Sequence, residues 1–305
     1  MKSVLILRKI KVEGANAISG LIYGFPAITH FLGYVHAISR ELDTKMGITL
    51  GGCAVIAHKN QIHSYKNGGG GEQIFSLTRN PLTEDANTSP FNEEGKLHIE
   101  ISLVIECNFT RDDFKDDVKN FEKLIYQLAI KRRLAGGIIT EIASVTFEEI
   151  PEDEENIAKQ LNRMKRRLLP GAVLLDRSDI FTKYLSENKS LSSVEALLDF
   201  YTLKSSAVQP LDTDKSSEVE WNDIPKPCRG WMVPIQLGYK AISPLYEGGK
   251  VTRARDSTVP FRFVEPVYGL GEWLWVHRIE DIESIIWNYK HEKDFYICLN
   301  KNQKN

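Results

Sequence analysis

The chain has 305 residues, 42% of them apolar and 26% charged, an ordinary globular mix that can bury a core and excludes wholesale disorder, collagen-like repeats and mucin-like stalks. Its 39 Lys and Arg against 41 Asp and Glu leave a net charge of −2, so any polyanion has to be held by a local patch rather than by a general positive field. No apolar run approaches the roughly 18–20 residues of a membrane span. The short apolar opening of MKSVLILRKIKV, interrupted at Arg8, reads as a strand rather than a secretion signal, so no membrane and a cytoplasmic location are expected.

The length suggests two domains, divided here as 1–150 and 151–305, or one large α+β domain with an elaborated insert. Residues 3–12 are rich in Val, Leu and Ile and predict the first strand, broken by Asn16, Ser19 and Gly20. A helix of about 17 residues follows, with Pro26 at its start, an apolar stripe through Phe25, Ile28, Phe31, Leu32, Val35, Ile38 and Leu42, and Gly47 at its end. Gly33 on this helix suggests close packing against a neighbour. Residues 48–58 predict a second strand bent at Gly51-Gly52. Residues 59–95 are polar. Their run Gly68–Gly71 is followed by Glu72 rather than Lys-Ser/Thr, which reads as a hairpin tip or lid and not a phosphate loop.

A third strand is expected over 96–107, then a helix capped by Thr110, with Asp113 three residues on. Its stripe is Phe114, Val118, Phe121, Ile125 and Leu128; Asp112, Asp113, Asp116 and Asp117 open it, and Lys131, Arg132 and Arg133 close it, as the helix dipole favours. Gly136-Gly137 stop it, and residues 138–147 give a fourth strand. The order β-α-β-β-α-β is the ferredoxin-like arrangement. It is also the frame of RRM-type RNA binders, whose sheet face can carry bases.

The second half is less regular. Residues 151–169 run from acidic to basic and predict a helix, 177–201 two short helices, and 205–227, with Pro225 and Pro227, a linker or surface loop. Residues 229–278 carry seven Lys/Arg against four Asp/Glu, a surplus of three positive charges, interleaved with Trp231, Trp273 and other aromatics. This gives a helical segment followed by a β-rich part suited to an RNA or protein partner.

Catalytic and metal chemistry find little support. Cys53, Cys107, Cys228 and Cys298 show no Cys-x-x-Cys spacing and predict buried, inert thiols in a reducing compartment. His30 and His36 point about 120° apart on a helix, His58 and His63 face opposite sides of a strand, and His277 and His291 have no acidic partner at a recognisable spacing. No cofactor, metal site or catalytic residue is expected. Polyanion recognition remains. Arg132 and Arg133 precede Gly136-Gly137, whose amides can form an anion-binding nest or simply end a helix. Asn16, Ile18 and Ser19 stand at the exit of the first strand, where a loop can meet bases. Arg253 and Arg255 alternate around Ala254, so that in a strand both face one side, a rail for a sugar-phosphate chain.

Asn16-Ala17-Ile18-Ser19 together with Gly24-Phe25-Pro26-Ala27-Ile28-Thr29-His30-Phe31-Leu32-Gly33-Tyr34-Val35-His36 resembles the N-terminal signature of the type I-F CRISPR-associated Csy family of the "two" group, the Cas-five-like subunit. Arg262-Phe263-Val264-Glu265-Pro266-Val267-Tyr268 with Gly271-Glu272-Trp273 resembles its C-terminal signature, and Leu134-Ala135-Gly136-Gly137 is similar to the glycine loop of the RAMP superfamily. The resemblance implies a non-nuclease subunit of an RNA-guided surveillance complex that holds the 5′ handle of the CRISPR RNA. It also implies a heterodimer with the large Cas subunit, contact with a backbone Csy subunit, and only indirect contact with target DNA. The implied fold is the ferredoxin-like core with an added thumb or hairpin, from 59–95 or 205–262. RNA contact is carried onto Asn16, Ile18, Ser19, Arg132, Arg133, Gly136, Gly137, Arg253, Arg255 and Arg262, while Gly24 to His36 serve helix packing. The competing reading is a metal-independent RAMP-type endoribonuclease acting on precursor RNA with a histidine base.

Overall fold

The structure, a computed structural model, describes residues 1–66, 73–78, 80–90, 92–115, 117–208 and 220–300. The first half is built from β1 (Ser3–Asn16), α1 (Ile28–Met46), β2 (Leu50–Ile62), β3 (Lys96–Cys107), α2 (Val118–Ile130) and β4 (Gly137–Glu149). These strands lie side by side in the order β4-β1-β3-β2, each antiparallel to its neighbours. β1 and β2 therefore run parallel with β3 between them, and each helix bridges two strands of the same sheet.

Strand alternation sets which face the helices cover. Leu5 and Leu7 face α1 and α2, while Val4 and Ile6 face the other way. At Lys9 the chain takes a left-handed φ of 49° and the register with β3 slips between Leu7 and Ile10. This bulge changes the parity, so that Ile10 and Val12 return to the helix side. Phe31, Val35, Ile38 and Leu42 of α1 and Phe121, Ile125 and Leu128 of α2 close this main core. Each such buried side chain contributes about 1.5–3 kcal/mol.

The second half adds α3 (Glu154–Leu168), β5 (Ala172–Asp176), α4 (Ser178–Glu187), α5 (Ser193–Tyr201), β6 (Met232–Ala241), β7 (Val264–Trp275), β8 (Trp287–Glu292) and β9 (Phe295–Asn300). The sheet continues from β2 through β5, β7, β6, β9 and β8, and Arg133–Leu134 pairs outside β4, giving ten strands. Trp287 of β8 pairs with Cys53, so the run returns to β2 and closes a ring of strands. Gly52 makes this seam possible, because a Cβ there would lie 2.0 Å from the Trp287 carbonyl oxygen. The fully buried Trp287 donates its indole N–H to Leu174 O at 2.8 Å across the ring. The protein is thus a mixed α+β structure with one large antiparallel sheet and, among the described residues, five α-helices. None of these helices is long and apolar enough to cross a membrane.

Several sequence expectations are corrected. The sheet face opposite α1 and α2 is not open for bases along its centre. Leu161, Met164 and Leu168 of α3, with Val276, Ile279, Ile282, Ile285 and Ile286, cover Val4, Ile6, Ala54, Ile56 and Val104 there. Gly33 faces open space instead of a close neighbour. Pro26 and Phe25 precede α1, which starts after Ala27, and Phe25 packs on Phe31 and Trp273. Thr110 and Asp113 do form a capping box, but on a 3-10 turn, Arg111–Phe114. Lys115, at φ 57°, interrupts the path, and α2 starts afresh with Asp117 as its N-cap. Gly136-Gly137 belong to a hairpin turn after Arg133–Leu134 rather than to a helix end. Around 205–227, Lys204–Val208 pairs antiparallel with Glu220–Ile224 as a two-stranded ribbon rather than forming only a loop. The expected tip Gly68–Gly71 with Glu72, and Asp116, lie outside the described residues; the flanking Ser64–Lys66 and Gln73–Phe75 pair as a ribbon.

Candidate nucleic-acid interface

The end of β1 and the glycine turn form one ledge. Arg133↔Ile138 and Leu134↔Gly137 pair as a tight hairpin whose central residues, Ala135 and Gly136, both have left-handed φ, 50° and 78°. Such a pair is the type I′ requirement. The ledge is locked to β1 from both sides. Asn16 N–H donates to Ala135 O at 2.8 Å, and a Cβ on Gly137 would lie 2.7 Å from Glu13 O and 2.8 Å from Ala15 N. Gly136 faces open space.

Beyond the ledge the Asn16 side chain shapes the exit of the strand. Its Nδ2 donates to Ile18 O at 2.8 Å and its Oδ1 accepts from Ile18 N at 3.1 Å. This turn feeds a small hairpin in which Ile18–Ser19 pairs with Ile22–Tyr23. Register also brings in Lys96, which faces Asn16 across the β1–β3 ladder, and His98, whose Nδ1 accepts from Gly14 N at 3.2 Å. Sequence reading missed both, because only the strand register places them there.

The structure brings together Asn16, Ile18, Gly136, Gly137 and the exposed Arg133. It does not bring in the others. Ser19 is 4% exposed and donates its hydroxyl to Gln236 Oε1 at 2.9 Å, tying the hairpin to β6. Arg132 is bonded to Glu41 of α1 and to the Leu128 carbonyl, so it closes α2. The hydrogen bonds of Lys45 and Arg132 hold the Glu41 carboxyl down at about 2. Arg253 and Arg255 are exposed in the loop between β6 and β7. They do not sit on a strand, and Arg253 has a φ of 60°, so no alternation aligns them. Arg262 stands at the base of that loop, with Nε donating to Ser243 O at 3.0 Å and Nη1 3.6 Å from Asp294 Oδ1.

Several histidines and the thiols contact neighbours within the fold. His58 bonds Pro170 O through Nδ1 at 2.6 Å and Ser102 Oγ through Nε2 at 2.7 Å, and burial pushes its pKa down. His63 and His98 meet edge to face, with centroids 4.2 Å apart. All four cysteines are free; Cys53, Cys107 and Cys298 are buried, and burial pushes the Cys298 thiol up to about 12. No group of three or more His, Cys, Asp or Glu among the described residues could hold a metal ion.

Comparison with known proteins gives this geometry a family. Residues 5–298 match the family described as CRISPR-associated protein (Cas_Csy2). The chain is 33% identical over 309 residues to the CRISPR-associated protein Csy2 of Pseudomonas aeruginosa (strain UCBPP-PA14), covering 96% of this chain and 93% of that protein. The match takes in the ledge, both arginine-bearing segments and almost the whole ten-stranded sheet. This chain therefore belongs to the CRISPR-associated Csy2 family.

Proposed function

We propose that this chain is a non-catalytic subunit of a type I-F CRISPR RNA-guided surveillance complex, and that it holds the 5′ handle of the CRISPR RNA in the cytoplasm. The observation that carries the reading is the ledge at the end of β1. Asn16 N–H bonded to Ala135 O, and Gly137 fitted against Glu13 and Ala15, hold an open backbone turn beside the exposed Arg133. A glycine turn with left-handed residues lets a phosphate approach the main chain closely. The strand order β4-β1-β3-β2 with its two helices supports a ferredoxin-like core, and with it the Cas-five-like, RAMP-type assignment.

With a net charge of −2 and few cations on the ledge, counterion release favours RNA only weakly for the lone chain. Tight binding arises when the large Cas subunit and a backbone Csy subunit complete the groove, while target DNA is met only through them. Co-expression with the large subunit and a CRISPR array tests this. The expected result is a stable complex containing a discrete small RNA whose 5′ end crosslinks to this chain. Tight, salt-insensitive RNA binding by the isolated chain, or a complex with no crosslink from the handle, overturns it. Specific cleavage of precursor RNA by the chain in chelator would instead establish the endoribonuclease reading.

A further inference from the structure

We propose that the aromatic cleft between residues 22–28 and the C-terminal strands is a nucleobase pocket, taking one unpaired base of a single-stranded RNA. The proposal rests on the RNA-holding reading above and adds a base subsite to it. The cleft has a volume of about 520 Å³, within the range of pockets that take small organic ligands. Five aromatic rings, Tyr23, Phe25, Trp231, Trp273 and Trp275, are among its lining residues. Phe25 braces Trp273 edge-on at 4.9 Å, and Trp231 lies 6.5 Å from Trp273. Yet Trp231 is 58% exposed and Trp275 50% exposed. Two half-exposed indoles lining an apolar cleft can serve as stacking platforms for a flat partner.

The polar groups in the cleft favour a base over an apolar protein side chain. Gln236, 6% exposed, uses Oε1 to accept from Ser19, which leaves Nε2 without a partner among the described residues. Asn60 uses Nδ2 to donate to Gly24 O at 2.9 Å, which leaves Oδ1 without one there. The Gln236 amide donor and the amide acceptor of the exposed Asn60 both line the cleft and suit a base edge, whereas an aliphatic occupant would cover the Gln236 donor without pairing it. Charge points the same way. No Asp or Glu lines the cleft, and Lys59 on its wall, 3.8 Å from the largely buried Glu100, keeps its side chain 80% exposed towards solvent. Ser19 lines the same cleft, and its neighbour Ile18 belongs to the ledge, so one strand can run from the glycine turn into the pocket.

The test uses the complex purified with its RNA, irradiated with ultraviolet light and mapped by mass spectrometry. Nucleotide adducts are expected on the peptides carrying Trp231 or Trp273 to Trp275. Trp231→Ala should weaken RNA retention by about 5- to 150-fold, the range of one lost base stack, and Trp231→Phe should restore most of it. Adducts only elsewhere on the chain, with retention unchanged in Trp231→Ala, overturn the pocket and leave the RNA-holding reading intact. Loss of a protein subunit from Trp231→Ala, with crosslinks and RNA retention preserved, makes the occupant a protein side chain and also overturns it. A complex without RNA removes the reading and the pocket together.

Discussion

Asn16 and Ala135, 119 positions apart in the sequence, are joined by a 2.8 Å hydrogen bond from the amide of the first to the carbonyl of the second. The bond makes the exit of the first strand and the glycine turn a single surface, and it is sensitive to the two residues that follow Ala135.

Gly137→Ala and Gly136→Ala should therefore differ in kind. At Gly137 an added methyl meets main-chain atoms at 2.7 and 2.8 Å that cannot rotate away, so the strands must part, at a cost of about 1–3 kcal/mol or more. At Gly136 the methyl meets nothing within 4 Å, and only the left-handed φ of 78° is penalised, by about 1–2 kcal/mol. Urea denaturation should rank Gly137→Ala as the less stable of the two. The reverse ranking would mean that the turn does not seat on β1 as described.

His58 should make stability fall in mild acid. Pro170 O can only accept, so Nδ1 carries the hydrogen and Nε2 accepts from Ser102 Oγ, which itself accepts from Lys9 N at 2.9 Å. Burial holds the folded-state pKa below the ordinary histidine value. As pH drops below about 6.5 the unfolded chain takes up a proton that the folded chain refuses, so unfolding becomes easier, and the loss is complete below the folded-state value. His30 and His63 are shifted the same way, so the informative quantity is a difference. Denaturation at about pH 5.5 and about pH 7.5 should show a smaller pH effect in His58→Gln than in the wild type. An identical effect would detach His58 from the slope.

Thiol labelling should separate the cysteines. Cys53, Cys107 and Cys298 are buried and their thiols are pushed up by desolvation, whereas Cys228 is only partly covered. A thiol reagent on the native protein should modify Cys228 first, and the other three only at the rate of unfolding. Fast labelling of Cys53 would mean that the seam between β2 and β8 opens.

Arg253→Ala with Arg255→Ala should leave folding within about 0.5 kcal/mol of wild type, because both side chains are exposed on a loop. Retention of the CRISPR RNA by the complex should drop, most visibly at raised salt. Unchanged assembly and salt dependence would remove both residues from the RNA path. Arg132→Ala should behave in the opposite manner, costing stability through Glu41 and the end of α2 with little change in RNA retention.

The elements were legible wherever a local pattern decides them. The stripes of α1 and α2, the acidic-to-basic run of α3 and the β-rich first 12 residues need only periodicity and the helix dipole to be read. What was not legible depends on long-range placement. Arg132 reads as an RNA contact until Glu41, 91 residues away, is brought beside it. Ser19 stands at an exposed-looking strand exit until Gln236 buries it. Arg253 and Arg255 alternate only if their segment is extended, and the left-handed φ at Arg253 prevents that. Covering of the sheet by α3 was equally hidden, because an amphipathic helix does not announce which face it will occupy.

The pairing of Trp287 with Cys53 also governs when the molecule can be finished. Strand β2 sits early in the chain, and one of its two flanking neighbours on that side is not synthesised until more than 230 residues later. Ring closure is thus a contact of very long sequence separation, the kind that forms late and slowly. In a nascent chain the β2 edge around Cys53 stays unsealed after β5 has paired with Ile56 and Ala57, until the final strands are made.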